Sequence, residues 1–468
     1  MARQRLIMRA WLPVPWVLMT LLMLLLSGPV CAEAIEETVG FIDYAAGSAK
    51  HQFLEDYGIV YGGWIDVGIT GNANRPADRF NGLVSFGDRN GEVQLNQLNF
   101  FLERAVVASS EDWGIGGRLD VMYGSDAIFT QAYGVPPLSY QTGQALNRGN
   151  YDLHLTSWSE RFNALALPQA YLEMNVPVGN GLTVKIGHFY TPVGFEVVTA
   201  PDNFFYTHAY TMQYGEPFTH TGVLGNYIVN ANWSLQGGAV TGSATGGWDG
   251  AFNTQLGNWN FIGGGTWTSD DQAYSLNLTS TAGAIASGSD DFWGIYSLVG
   301  KANWLDDRLH YVIQHDHGYA NNVMTANGAY GGSPGGRQNA EWYGIKHFLS
   351  YDLLDNLGIG LRAEWFRDNN GFMIAGPARC MNSANLSVPG DPHSVFQYAC
   401  RNNGATYPLL GANYYALTTG LNFKPLHWVM IRPNVRYDFS TADAFMTSTF
   451  GRFTDHQLTF STDVVITF

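Results

Sequence analysis

Serine, histidine and carboxylate groupings are where chemistry would first show in this chain. Gly331-Gly332-Ser333-Pro334-Gly335 has the spacing of a nucleophile elbow, which presents a serine for acyl transfer. The elbow needs a buried strand before it and a helix after it, and here it lies in a glycine-rich stretch that reads as a loop. His315-Asp316-His317 sets two imidazoles on one strand face, a spacing that can share a metal. No third ligand stands nearby in sequence, so the plainer reading is a pair of interfacial or loop histidines. His188, His208 and His220 flank one long segment and converge only if that segment folds back. Asp88-Arg89-Asn90-Gly91 and Asp368-Asn369-Asn370-Gly371 begin like calcium loops, yet both lack the later bidentate glutamate and read better as turns. Gly263-Gly264-Gly265 falls inside an extended stretch, not between a strand and a helix, and so cannot cradle phosphate in the usual way. The expectation is therefore no catalytic residue, no metal and no cofactor.

A different set of residues points to physical selection of solutes. Glu196, Asp202 and Glu216 lie in the long segment 192–220. Arg118, Lys185, Arg362, Arg432 and Arg436 each fall on the polar parity of an alternating stretch. If the segment folds into a lumen, an acidic loop faces a basic wall. The two set a transverse field at the narrowest point of a pore. Segment 125–166 is longer and is the other candidate to narrow it.

Such residues need strands to hold them. Past residue 58 the chain alternates with period two, as a strand with one apolar face does. Val429, Ile431, Val435, Tyr437 and Phe439 stand against Arg432, Asn434, Arg436 and Asp438; Ala170, Leu172, Met174 and Val176 stand against Gln169, Tyr171, Glu173 and Asn175. Sixteen segments read this way: 59–70, 93–107, 113–124, 167–177, 182–191, 221–230, 233–242, 259–268, 272–281, 292–302, 308–318, 340–351, 356–368, 413–425, 428–440 and 455–468. Alternation alone does not separate a soluble sandwich from a barrel. The connections do, because short turns and long loops alternate strictly along the chain. That is the pattern of a transmembrane antiparallel barrel with tight periplasmic turns and large outer loops. Trp113, Tyr227, Trp233, Trp304, Tyr351 and Trp428 sit beside the short turns, and Tyr123, Tyr190, Phe366, Tyr414 and Phe439 near the long ones, which suits two interfacial girdles.

Composition agrees. The 468 residues include 55 Gly, 25 Tyr, 27 Phe and 14 Trp, with only 13% charged. Arg3, Arg5 and Arg9, an apolar run from Val14 to Leu26 and a small-residue site at Ala32 form a secretory signal segment, 1–32. Residues 33–58 then make a short leader and 59–468 the barrel. Removal of the three arginines with no acid takes the formal charge from −15 to −18. That balance argues against nucleic acid as a partner and suits passing cations. Cys380 and Cys400 share one polar segment, and in an oxidising compartment they read as a loop-closing disulfide.

The stretch Gly187–Leu224, GHFYTPVGFEVVTAPDNFFYTHAYTMQYGEPFTHTGVL, resembles the signature segment of the β-barrel porin family described as OmpL-like. Val93–Val106 (VQLNQLNFFLERAV) and Gly117–Tyr123 (GRLDVMY) resemble it as well. The resemblance implies an outer-membrane barrel acting as a pore for small hydrophilic solutes or ions, and supplies no catalytic residue and no substrate. The terminal strand ending at Phe468 resembles the signal read by barrel-assembly machinery. Outer-membrane lipid is the expected surroundings, and a homotrimer is left open. Two rivals stand beside the porin: a barrel hydrolase with a nucleophile and histidine at the outer rim, and an adhesin or structural barrel with a plugged lumen.

Overall fold

The protein, seen in a computed structural model, is described over residues 57–130, 163–241, 259–284, 290–324, 337–369, 371, 373–374 and 411–468. The signal segment, Ser333, Cys380 and Cys400 lie outside these residues, as do nearly all of the leader and most of segment 125–166.

The chain runs as β1 (Val60–Asn72), β2 (Val93–Arg104), β3 (Gly114–Gly124), a single helical turn α1 (Ala127–Thr130), β4 (Ala164–Val176), β5 (Leu182–Tyr190), β6 (Thr219–Ile228), β7 (Trp233–Thr241), β8 (Trp259–Thr268), β9 (Tyr274–Ala284) and β10 (Phe292–Trp304). It continues as β11 (Leu309–Met324), β12 (Arg337–Leu354), β13 (Leu357–Asp368), β14 (Ala412–Leu426), β15 (Val429–Ile431), β16 (Asn434–Ser440), β17 (Phe445–Met446), β18 (Phe453–Thr454) and β19 (His456–Thr467). Seventeen of these strands form one sheet; β17 and β18 make a separate small hairpin in the last outer loop. β15 and β16 are two halves of one crossing, so the sheet has sixteen crossings. Neighbours pair antiparallel in chain order, and β19 returns to β1 from Trp64↔Thr467 to Asn72↔Thr459, which closes the barrel. Gly63 and Phe468 exchange both backbone hydrogen bonds at 2.9 Å at the seam.

Side-chain direction settles what alternation left open. On β9, Tyr274, Leu276 and Leu278 are exposed on the outer surface while Ser275, Asn277 and Thr279 turn inward. On β16, Val435, Tyr437 and Phe439 point out, and Arg436 and Asp438 are fully buried inside. An apolar exterior around a polar interior is a membrane barrel. Sixteen crossings leave a lumen too wide for wall side chains to fill.

The short turns are built from local polar chemistry. The Asn230 carboxamide accepts from the amides of Asn232 and Trp233, both at 2.9 Å, between β6 and β7. The Ser269–Asp271 turn between β8 and β9 bonds itself in the same way. Strand boundaries follow the sequence reading closely, with β11 and β12 running further outward, to Met324 and from Arg337. The outer girdle is corrected in part. Tyr123, Trp365, Tyr415 and Phe439 belong to its level, but Phe366 and Tyr414 are fully buried and turn inward, because each shares a parity with lumen residues of its strand. Tyr190 packs inward too.

Candidate functional site

The segment between β5 and β6, residues 191–218, drops into the lumen. Its residues are largely buried, including Val198, Tyr206, Tyr210, Met212 and Tyr214. It carries a 3-10 turn, Ala200–Asp202, and a π-helical turn, Thr211–Gly215. Thr191 N, bonded to Phe218 O at 3.0 Å, closes its neck.

Three kinds of wall contact hold it. The first is a β-bulge. Pairing of β1 with β2 slips between Asp66 and Val67, leaving Asn96 as the extra residue. A bulge re-aims side chains, and here it turns two consecutive amides, Asn96 and Gln97, into the lumen, both buried. Asn96 donates to the Tyr206 hydroxyl at 3.0 Å. Gln97 donates to Val198 O at 2.8 Å and accepts from Ala200 N at 3.1 Å and Trp64 at 2.8 Å. Gly68 faces this contact; a Cβ there would overlap the Tyr206 ring.

The second is a break in a strand. Pro433 cannot donate to a ladder, and the fifteenth crossing is interrupted at Arg432-Pro433. Arg432 is ion-paired with Asp463, and its free nitrogen donates to three loop carbonyls, Ala200 at 2.6 Å, Asn203 at 2.9 Å and Phe205 at 3.3 Å.

The third is a chain of buried charges across β11–β16. Glu196 accepts from Arg362 at 2.6 Å and Lys346 at 3.4 Å, and Lys346 reaches Glu216 at 3.0 Å. Gln314 donates to Glu216 at 2.6 Å and to Asp316 at 2.8 Å. Glu364 accepts from Tyr210 N at 2.9 Å, Asp438 accepts from the Tyr210 hydroxyl at 2.7 Å, and Arg436 bonds both Asp438 and His208 O. Burial pushes the Glu196 carboxyl up, but the Arg362 and Lys346 charges outweigh it and hold the group at about 2. Burial pushes His208 down to about 3, only partly opposed by Glu196. Aromatic rings fill the remaining gaps: Phe195 on Phe348 with centroids 5.0 Å apart, and Tyr210 on Tyr414 at 5.7 Å.

The expected charges are thus partly brought together. Glu196 and Arg362 meet directly, and Arg432 and Arg436 bind loop carbonyls, so these groups stand in contact and not across open water. Glu216 meets Lys346. Asp202 is exposed and accepts from the Thr199 hydroxyl at 2.5 Å. Arg118 sits apart, bonded to Glu103 at 2.8 Å and Asp120 at 2.6 Å, and Lys185 stands 4.0 Å from Glu173 with its ammonium over the Tyr171 ring. Lys346, Gln314, Asp316 and Glu364 were missed. Each lies on the lumen parity of its strand, and that signal would have found them.

Among the described residues no three candidate metal ligands converge at the histidine groupings. His188 bonds Thr221 at 2.7 Å, His220 bonds Thr191 at 2.9 Å and His208 stands apart near Glu196. His315 and His317 face outward; His317 stacks on Tyr343 at 4.7 Å and meets Glu341 at 3.0 Å.

The loop leans on β10–β16, β19, β1 and β2, and across from it Tyr171, Phe189, Leu224, Val240 and Ile262 of β4–β8 form a separate buried apolar cluster. Between Pro192 and Gly194 of the loop and strands β6–β10 lies a space of about 340 Å³. Asn226, Ser234, Gln236, Thr266, Ser275 and Asn277 line it, and Lys301 is the one charged lining residue among those described.

Similar folds are known among solved porins. The high-pH structure of Pseudomonas putida OprB is 12% identical with a TM-score of 0.52, over 91% of this chain and 97% of that one. The anion-selective porin from Comamonas acidovorans is 8% identical with a TM-score of 0.51, over 88% of this chain and 99% of that one. At these identities the likeness shows the fold alone. A comparison with curated proteins returns no match. Residues 58–468 match the family described as putative beta-barrel porin-2, OmpL-like, and the chain belongs to that family.

Proposed function

We propose that this outer-membrane porin passes small hydrophilic solutes and ions by diffusion, along a passage narrowed by the loop 191–218. One observation carries the reading. The loop is fastened to one side of the lumen by bonds that satisfy its own polar groups, and the other side keeps a space lined by amides and hydroxyls. Glu196 and Arg362 belong to the fastening of the constriction, with Glu216, Arg432 and Arg436. Arg118, Lys185 and Asp202 act as solvated or wall-paired charges outside it. Liposome swelling with uncharged sugars of graded size tests the reading. Rates falling steeply with solute size are expected; equal exclusion of all sugars would overturn it. Export by the signal segment with cleavage after Ala32, insertion guided by the strand ending at Phe468, and assembly as a homotrimer belong to the same proposal. The native mass of detergent-extracted protein tests the last.

A further inference from the structure

The net charge of the chain and the charge that the described residues place at the open space have opposite signs. The mature chain carries −18, which taken alone suits cations. The lumen acids, however, are largely spent on the loop and on the wall. Glu196, Glu216, Glu364, Asp438 and Asp463 are buried against Arg362, Lys346, Arg436 and Arg432 beneath the loop. Glu103 and Asp120 share Arg118, and Glu173 faces Lys185. Among the described residues no carboxylate lines the space along β6–β10. Lys301 does: it projects inward from β10, is exposed, and holds its ammonium 4.9 Å from the centre of the Phe195 ring. Phe195 belongs to the loop and packs edge-on against Phe348. The loop therefore fixes the lysine at the edge of the passage, beside a strip of amides and hydroxyls on the neighbouring strands that hydrogen-bond one another: Gln236 to Thr279 at 3.1 Å, and Asn277 to Thr266 at 2.7 Å.

We infer that this passage selects small anions, chloride and short carboxylates, over cations, and that Lys301 sets the preference. The inference rests on the diffusion reading above. An ammonium at the edge of the passage attracts an anion and repels a cation, and the neutral strip replaces lost hydration with hydrogen bonds without adding charge. Across about 4 Å of water one unit charge changes the partition of a monovalent ion by about fivefold, and by more against a low-dielectric wall. Phe195 is a positioning residue, since it acts through Lys301.

The test is the reversal potential of the purified full chain in a planar bilayer under a potassium chloride gradient, repeated with potassium acetate. The native protein should prefer the anion in both salts. Lys301→Arg should keep that preference, Lys301→Gln should lower the anion-to-cation permeability ratio by about 25-fold, about fivefold for each ion, and Lys301→Glu should reverse its sign. Phe195→Leu should weaken the preference while leaving the charge in place. Heat-modifiable migration on gels shows that each variant is a folded barrel. A cation-preferring native channel, or an open Lys301→Glu channel with native selectivity, overturns the inference and leaves the diffusion reading standing. A native barrel that is folded but silent overturns both.

Discussion

Glu196→Gln is the sharpest perturbation of the loop. The native carboxylate takes hydrogen bonds from Arg362 at 2.6 Å, from Lys346 at 3.4 Å and from Ala209 N at 3.2 Å. All these groups are buried. Removing one partner of a buried pair strands the other charge and costs about 3–5 kcal/mol. The carboxyl itself gives a similar figure. Being held at about 2 against an ordinary 4.5 corresponds to about 3 kcal/mol of preference for the ionised form. A loss of this size lowers the ratio of seated to released loop by about a hundredfold. Single-channel recording reads it directly, because a released loop opens the lumen. The variant should show larger and noisier open steps than the native protein. Glu196→Gln combined with Arg362→Met should recover part of the native record, since replacing both members of a buried pair with neutral groups is close to neutral. A Glu196→Gln channel with native conductance and native noise would refute the fastening role of the charge chain.

Three further outcomes follow from the same contacts. His208 is neutral while the loop is seated, because burial, helped by Arg362, Arg432 and Lys346, holds it at about 3 against an ordinary 6.5. The released loop takes up a proton that the seated one does not, so seating is complete above 6.5 and weakens toward pH 3, by about 1.4 kcal/mol per pH unit. Glu196 adds its own loss only below about 4.5, so conductance rising between pH 6.5 and 4.5 should flatten in His208→Asn. Gly194 has φ +93 and a Cβ there would overlap the Glu216 carboxylate; Gly194→Ala should loosen the loop by 1 kcal/mol or more, about the penalty of a side chain in that backbone region, seen as added noise in the open state. Arg432→Lys loses the fork that joins Asp463 to three loop carbonyls, so protease cleavage within 191–218 should accelerate in the variant and stay slow in the native protein.

The barrel was legible because membrane geometry leaves few choices. Strands such as β9 and β16 must show alternate faces to lipid and water, and the short turns must be short, so both marks survive in the sequence. The same rule placed Arg362, Arg432 and Arg436 inside. It would also have placed Lys346 and Glu364 there, and would have kept Phe366 and Tyr414 out of the lipid girdle. The inward loop was legible as long, aromatic and acidic. Its partners were not, because they depend on departures from regularity. The bulge at Asn96 turns two consecutive residues inward, against the period of two, and the break at Pro433 carries no pattern that names Asp463 or the loop carbonyls. Net charge is a poor guide to selectivity for a related reason. It sums acids that the fold neutralises under the loop, and says nothing of which charge faces the open side.

The central claim is that the lumen remains open beside the loop. Single-channel conductance of the purified, refolded protein in a planar bilayer tests it most directly. The account predicts stable, stepwise openings in simple salt. A correctly folded barrel that stays silent would contradict it, and would move the weight to a plugged barrel whose outer loops do the work.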